Sequence, residues 1–424
     1  MGLSMAERRA VTRQMAKRYQ RASKKEKTRM LDELCELTGW TRRHARRALQ
    51  MAVHGSAERS RRGRNRIYGK DVLAPLRLVW AALDGPAGKR LAPFMPEAVE
   101  ALQRADELVL SADVRERLLQ VSAATIDRLL APERRRLQVK GRSGTKPGSI
   151  LKRQIPIRTF AEWDEARPGF CEVDLVAHDG GDPRGEFCQT LDLTCIATGW
   201  TEVRAVKNKA QRWVHEALVD IARALPFPLV GLDSDNGAEF INSHLLAWCT
   251  EQGITFTRSR PYRKNDNCFV EQKNWPVVRQ QVGYARYDTT EELEVLRELY
   301  QHLRLYVNFF QPQMKLVSKT RDGAKVTKHY DTARTPYQRV LGSPEVSSQA
   351  KEALSKAYLA LNPAELKRQI ARRQDRLLEL GINKPEQRKE VGYPPGHPFK
   401  APYSWRELSR TSLVRQPVDA SRTS

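Results

Sequence analysis

The N-terminal part of the chain carries apolar side chains at helical spacing. Over residues 25–37 they form one predicted helical face, made of Met30, Leu31, Leu34 and Leu37. A second predicted helix covers residues 42–51, with Ala45, Ala48 and Leu49 turned inward. Gly39 lies between the two helices, where a glycine can adopt the positive φ of a tight turn. This pattern predicts a helix-turn-helix.

The polar face of the second predicted helix is rich in arginine. Its members are Arg42, Arg43, Arg46 and Arg47. Such a helix fits the major groove of DNA, with contacts to phosphates and guanines. The alternative is a helical hairpin with a solvated basic face. Residues 71–140 also have a helical pattern and resemble a second helix-turn-helix, with Ser122 as the expected N-cap and Arg128 as a DNA contact.

Strand-like alternation replaces the helical pattern in the middle of the chain. The predicted strands cover residues 170–176, 187–197, 200–206, 228–232 and 254–257. Helices are predicted between the later strands, over residues 209–225 and 239–252, and a long helical region follows residue 267. The order βββαβαβα is typical of an α/β layer architecture. From residue 316 onward the pattern predicts a basic, mostly helical region with a poorly ordered tail.

Six segments follow from these patterns, so we expect a multidomain protein. They are a helix-turn-helix DNA-binding domain (1–58), a basic linker (59–70), a second helical DNA-binding domain (71–140), another basic linker (141–160), an α/β catalytic core (161–315) and a basic helical C-terminal region (316–424). The first linker is expected to follow the DNA backbone through Arg61, Arg62 and Arg64.

The charge distribution supports a polyanionic partner. The formal net charge is +24. Residues 1–150 contain 33 Lys and Arg against 16 Asp and Glu, residues 151–290 contain 17 against 19, and residues 291–424 contain 24 against 15. Basic flanks around a nearly neutral middle are expected when the flanks hold nucleic acid and the middle performs the chemistry.

Several other classes of protein are disfavoured. The chain has no apolar run near the ~18 residues that span a bilayer, and its first residues lack the apolar core of a signal peptide. The six cysteines are scattered without zinc-ligand spacing, which favours reduced thiols. We therefore expect a cytoplasmic protein with no membrane association.

Three acidic residues stand in settings that suit catalysis. Asp174 lies in the first predicted strand of the middle region, and Asp235 follows the fourth strand within Ser234-Asp235-Asn236-Gly237. Glu271 lies near the start of a predicted helix, with 35 residues between it and Asp235. Each residue alone has a simpler explanation: an exposed strand position, a turn, and an acid favoured by the helix dipole.

Together these residues resemble the aspartate–aspartate–glutamate signature of the retroviral-integrase superfamily, which bacterial insertion-sequence transposases share. The similarity extends from about residue 169 to Tyr306-Val307-Asn308-Phe309-Phe310-Gln311-Pro312. It implies an RNase H-like fold and two Mg²⁺ or Mn²⁺ ions at Asp174, Asp235 and Glu271. Such ions activate a nucleophile and stabilise a leaving oxygen during displacement at phosphorus.

The leading functional hypothesis is a transposase or integrase that binds the ends of a mobile element and joins them to target DNA, as a homo-oligomer. The alternatives are a nuclease of the same fold without strand transfer, and a DNA-binding regulator derived from a transposase. Arg263 and Lys264 are candidate phosphate contacts.

Neighbouring residues leave further questions. Asp233 competes with Asp235 because strand alternation places both on one side. His178 either touches the site or ends the strand. Pro276 is expected to kink the helix of Glu271, and Asn274 is expected on the same face of that helix as Glu271.

Overall fold

The computed structural model describes residues 3–53, 67–136, 167–259 without 236, 238 and 241, 268–382, and 384. The chain divides into two compact units, Met1–Gly69 and Lys70–Ser424. The predicted DNA contacts Arg61, Arg62, Arg64, Arg263 and Lys264 lie outside the described residues.

The first unit contains three helices: α1 (Met5–Arg21), α2 (Lys24–Thr38) and α3 (Arg42–Val53). Capping boxes begin α1 and α2, and Gly39 ends α2 with a φ of 69°. The core consists of Ala16, Leu31, Leu34, Ala45 and Leu49. The predicted helix pair and its turn are therefore confirmed, and α1 packs on it as a third helix.

One predicted core position of this unit is wrong, because Leu37 is 48% exposed. All four arginines of α3 are exposed. Arg42 differs from the other three, since its guanidinium forms an ion pair with Asp32 of α2.

The second unit begins with short helices. They are α4 (Lys70–Ala82), α5 (Gly88–Arg104), α6 (Ala112–Leu119), α7 (Ala123–Leu129) and α8 (Ala131–Arg136). The Ser122 hydroxyl accepts from the Thr125 N–H, so its predicted role as the N-cap of α7 is confirmed. Arg128 is exposed and donates to the Thr125 hydroxyl.

A mixed five-stranded sheet forms the centre of the second unit. Its elements are β1 (Phe170–Ala177), β2 (Gln189–Cys195), β3 (Thr201–Val206), α9 (Gln211–Ala224), β4 (Gly231–Ser234), α10 (Ser243–Glu251) and β5 (Thr255–Arg258). The strand order is β3-β2-β1-β4-β5. β1, β2 and β3 pair antiparallel, whereas β4 and β5 are parallel to β1. The predicted βββαβαβα order is confirmed.

The chain then returns to helices, interrupted by a hairpin. The elements are α11 (Cys268–Lys273), a π-helical turn (Asn274–Arg279), α12 (Gln280–Val282), α13 (Thr290–Phe310), β6 (Leu316–Asp322), β7 (Lys325–Tyr330), α14 (Pro336–Leu341), α15 (Ser348–Ala360) and α16 (Pro363–Ile382). The β6–β7 hairpin corrects the predicted helical pattern at residues 316–330, whereas α14, α15 and α16 confirm the mostly helical character further along. Val317, Thr320, Val326 and Thr327 flank a two-residue turn at Gly323-Ala324, a hairpin pattern that the overall basic composition hides.

Helix α16 is held to the rest of the second unit by ion pairs. Lys367 pairs with Asp84 at 2.7 Å, Arg368 with Glu107 at 2.5 Å and Arg373 with Glu298 at 3.2 Å. Arg376 pairs with Glu291 of α13. These basic residues therefore fix the helix against the turn after α4, the loop after α5, and α13.

No described helix is both long and apolar enough to cross a membrane.

Candidate active site

The acidic residues of the site lie on the two central parallel strands. Alternation along β1 puts Glu172 and Asp174 on the same face of the sheet. Glu172 is the register partner of Asp233 on β4. Asp174 lies two residues after Glu172 on β1, and Asp235 lies two residues after Asp233, directly after β4 ends at Ser234. The two acids therefore belong to neighbouring segments, since paired strands are about 4.8 Å apart.

The surroundings of Asp174 and Asp235 disfavour the ionised form of both carboxyl groups. Burial, opposed by the Gly237 N–H at 2.8 Å, raises the pKa of Asp235 to about 6, and the charges of Asp174, Glu239 and Glu271 add to the increase. Burial also raises the pKa of Asp174, against the hydrogen bonds from Asn274 and the Leu175 N–H. A cation between such groups would offset their mutual repulsion.

Glu271 lies on α11, from which its charge acts on Asp235, and Glu172 fixes the start of that helix. Oε2 of Glu172 accepts from the N–H groups of Phe269 at 2.8 Å and Val270 at 3.0 Å. Glu172 is fully buried. Helix α11 is therefore anchored to the strand that carries Asp174. Sequence reasoning missed Glu172, although its position two residues before Asp174 in an alternating strand was a signal.

The π-helical turn brings Asn274 onto the site. Pro276 has no N–H to donate to the carbonyl of Gln272, so the α-helical hydrogen-bonding pattern cannot continue. Nδ2 of Asn274 donates to Oδ2 of Asp174 at 2.5 Å. The departure from regular helix at Pro276 is confirmed, and Asn274 is the residue that this segment presents to Asp174.

Another carboxylate, Asp192 on β2, lies opposite Asp174. Burial raises its pKa to about 8, with a further contribution from Asp174 and opposition from Lys273. Burial likewise lowers the pKa of Lys273 to about 7, against the attraction of Asp192. Sequence reasoning gave neither residue a role, because only the pairing of β1 with β2 brings Asp192 beside Asp174.

Two other candidates, Asp233 and His178, form hydrogen bonds within the fold. Asp233 is fully buried, and its Oδ1 accepts from the Thr257 hydroxyl on β5. His178 is fully buried too, with Nε2 at 2.7 Å from the Thr190 hydroxyl and its ring edge against Tyr287. Burial lowers its pKa to about 3, so it stays neutral. These contacts favour a structural role for both residues.

The oxygen atoms present suit a hard divalent cation. Oδ2 of Asp192 and Oδ1 of Asn274 are buried without a hydrogen-bond partner, beside carboxylates whose charges repel one another. Within the described part of the chain, however, no three Asp, Glu, His or Cys side chains are assembled closely enough to hold an ion. The donor chemistry therefore fits a cation, and the arrangement of Asp174, Asp235 and Glu271 is an open one.

Comparison with known proteins finds a close relative. The uncharacterized protein y4rM of Sinorhizobium fredii is 42% identical over 341 residues, which cover 80% of this chain and 96% of y4rM. The chain belongs to the y4rM family.

No family model matches the chain. Among solved structures, the catalytic core domain of BIV integrase aligns with 45% of this chain, and the alignment covers 98% of the BIV integrase domain. The sequence identity is 16% and the TM-score is 0.28. At that score the superposition adds nothing to the fold described above.

Proposed function

We propose that this y4rM-family protein is a metal-dependent polynucleotidyl transferase, a DNA transposase or integrase with an RNase H-like core. It would bind the ends of a mobile element and join them to target DNA by attack of a 3′-hydroxyl. The observation that supports the proposal is the placement of Asp174 on β1 and of Asp235 directly after the parallel strand β4, with Glu271 on a helix whose start is anchored on β1.

Asp174, Asp235 and Glu271 are the residues that would hold Mg²⁺ or Mn²⁺. When bound, the ions supply Lewis acidity for displacement at a phosphodiester. Asn274 orients the Asp174 carboxylate through its 2.5 Å hydrogen bond, and the Gly237 N–H orients that of Asp235. Glu172 holds the start of α11 and thereby the position of Glu271.

DNA recognition is assigned to the helical segments. Arg43, Arg46 and Arg47 on exposed positions of α3 are the proposed groove contacts, and Arg128 on α7 a further one. Arg42 is a weaker candidate than its neighbours because it is already paired with Asp32. A homo-oligomer is proposed because two DNA ends must be held together for joining.

The two other functions differ in what they require. A nuclease of the same fold needs the carboxylates without a helix-turn-helix that reads sequence. A regulator needs the helix-turn-helix without carboxylates whose pKa values are raised by their neighbours. Both features are present in this chain, so the transposase accounts for more of it.

The test is incubation of the full chain with labelled duplex DNA from the flanks of its gene, with Mg²⁺ or with EDTA. We expect end-specific cleavage and joined products with Mg²⁺ alone. Asp174→Asn, Asp235→Asn and Glu271→Gln should each reduce the rate at least about 10³-fold, as loss of a catalytic group does. Glu251→Gln, on an exposed position of α10, is the matched control and should retain the wild-type rate.

Each alternative has its own outcome. Cleavage that never yields joined products would favour the nuclease. Specific binding without any cleavage would favour the regulator. Cleavage that persists in EDTA, or in any of the three carboxylate variants, would overturn the assigned site.

A further inference from the structure

The β6–β7 hairpin projects its described side chains into solvent. Every side chain described in it is exposed on both faces of the ribbon, from Leu316 to Tyr330. The apolar ones are no exception, since Val317 is 69% exposed and Val326 is 41% exposed. An isolated two-stranded hairpin is only marginally stable in water. The hairpin is therefore a surface that a partner would complete.

The charge of the hairpin specifies the kind of partner. Residues 316–330 contain Lys319, Arg321, Lys325 and Lys328 against the single acid Asp322, a net charge of +3. An exposed ribbon with a net positive charge favours an anionic partner.

The base of the hairpin is firmly attached to the sheet. The N–H of Lys315 donates to Oδ1 of Asp331 at 2.6 Å, and Asp331 also pairs with Arg339 at 2.7 Å. The Lys315 ammonium donates to the carbonyls of Ile196 and Ala197, in the turn between β2 and β3. These contacts join the base of the ribbon to the rest of the second unit.

We propose that the β6–β7 hairpin binds duplex DNA by lying in its major groove. A two-stranded ribbon fits the width of that groove. The inference rests on the proposed function in taking DNA as the substrate, but it concerns binding and not chemistry. The net charge of +3 favours DNA over a second copy of this basic chain.

The test compares two double variants of the full chain. Lys325→Ala/Lys328→Ala removes two charges from β7, and Arg223→Ala/Lys356→Ala removes two from exposed positions of α9 and α15. Affinity for a 30-base-pair duplex is measured across a salt series, with single-stranded DNA of equal length as a second ligand. We expect the hairpin variant to lose at least about tenfold in duplex affinity and about two units of salt slope, one for each phosphate contact. The control should lose neither, and both melting temperatures should match the wild type because neither pair of residues packs on the core.

The other outcomes overturn the proposal. Unchanged duplex affinity together with a smaller mass in solution would make the hairpin a subunit interface. An equal loss on single-stranded DNA would exclude groove binding. Binding through the hairpin does not depend on the carboxylates, so Asp174→Asn should leave duplex affinity intact. If the wild-type chain binds duplex DNA through the hairpin but never cleaves it, only the proposed function is refuted. A chain whose hairpin variant cleaves and binds like the wild type would refute only this inference.

Discussion

Carboxylates in two regions of the second unit have opposite environments. Along α16 the acids meet built-in cations. A hydrogen bond from Arg368 holds the pKa of Glu107 below its usual value, and hydrogen bonds from Lys384 and Arg286 outweigh burial to do the same for Asp288. On the central strands, burial raises the pKa values of Asp174 and Asp235, and neighbouring acids add to the increase at Asp235.

The difference separates structural charge from charge held for a ligand. An acid paired within the fold stabilises the fold while it is ionised. An acid placed beside other acids destabilises the fold when ionised, and such an arrangement is favourable only with an external cation. The acids along α16 are therefore expected to matter for stability, and those of the central strands for chemistry.

The largest effect on stability is expected from Lys367→Met. The ammonium of Lys367 is 8% exposed and lies 2.7 Å from Oδ1 of Asp84, which is 13% exposed. Removal of the cation leaves a buried carboxylate unpaired, at a cost of about 3–5 kcal/mol in the free energy of unfolding. Urea unfolding measures the change.

A second substitution separates charge from packing at this pair. Adding Asp84→Asn removes the unpaired charge and should recover most of the lost stability. Asparagine also tolerates the positive φ of 63° at this position. DNA cleavage per folded molecule should remain at the wild-type rate in both variants. A loss of cleavage would mean that α16 contributes to the site, and the comparison between the two regions would fail.

A pH series reveals the sign of the charge effect in each region. The pKa of folded Asp235 is about 6 against an ordinary value of 3.8. Between these values the folded state binds more protons than the unfolded state, so a rise in pH through this window lowers the free energy of unfolding, by about 3 kcal/mol at most. In EDTA the wild type should therefore lose stability relative to Asp235→Asn as pH rises from 4 to 7.

Asp288→Asn is the opposite control. Because the pKa of Asp288 is lowered, the wild type should gain stability relative to that variant as the pH rises through the lowered pKa toward the ordinary one. Mg²⁺ at pH 7 should restore stability to the wild type and not to Asp235→Asn. Parallel pH curves for the wild type and Asp235→Asn would show that Asp235 is an ordinary surface acid.

The smallest of these effects is expected from Glu172→Gln, which keeps side-chain volume and weakens the anchor of α11. Groups that orient a metal ligand typically contribute 10- to 100-fold to activity or metal affinity, and we expect a loss of about that size. The Mg²⁺ concentration for half-maximal cleavage should rise. Glu107→Gln, its counterpart beside α16, should lower stability and leave the Mg²⁺ requirement unchanged. An unchanged requirement in Glu172→Gln would reduce Glu172 to a purely structural residue.

Local patterns were sufficient to predict much of the fold. Apolar spacing and capping residues determine where α2, α3 and the strands of the sheet begin and end, because these signals act within a few residues. The same locality explains the prediction of non-regular helix at Pro276. The helical prediction after residue 316 was wrong only for the β6–β7 hairpin, whose strand pattern is short and highly charged, and was right for α14, α15 and α16.

The sequence by itself determined the order of the elements and the acidic positions Asp174, Asp235 and Glu271 as candidates. Only the tertiary structure decided which charges meet. Asp192 comes beside Asp174 through the pairing of β1 with β2, and Glu172 reaches α11 across 97 residues of chain. The basic residues of α16 are partners of distant acids, which their own helix cannot reveal. Such contacts depend on pairing between segments far apart in sequence, whereas helical and strand periodicity record only the neighbours of each residue.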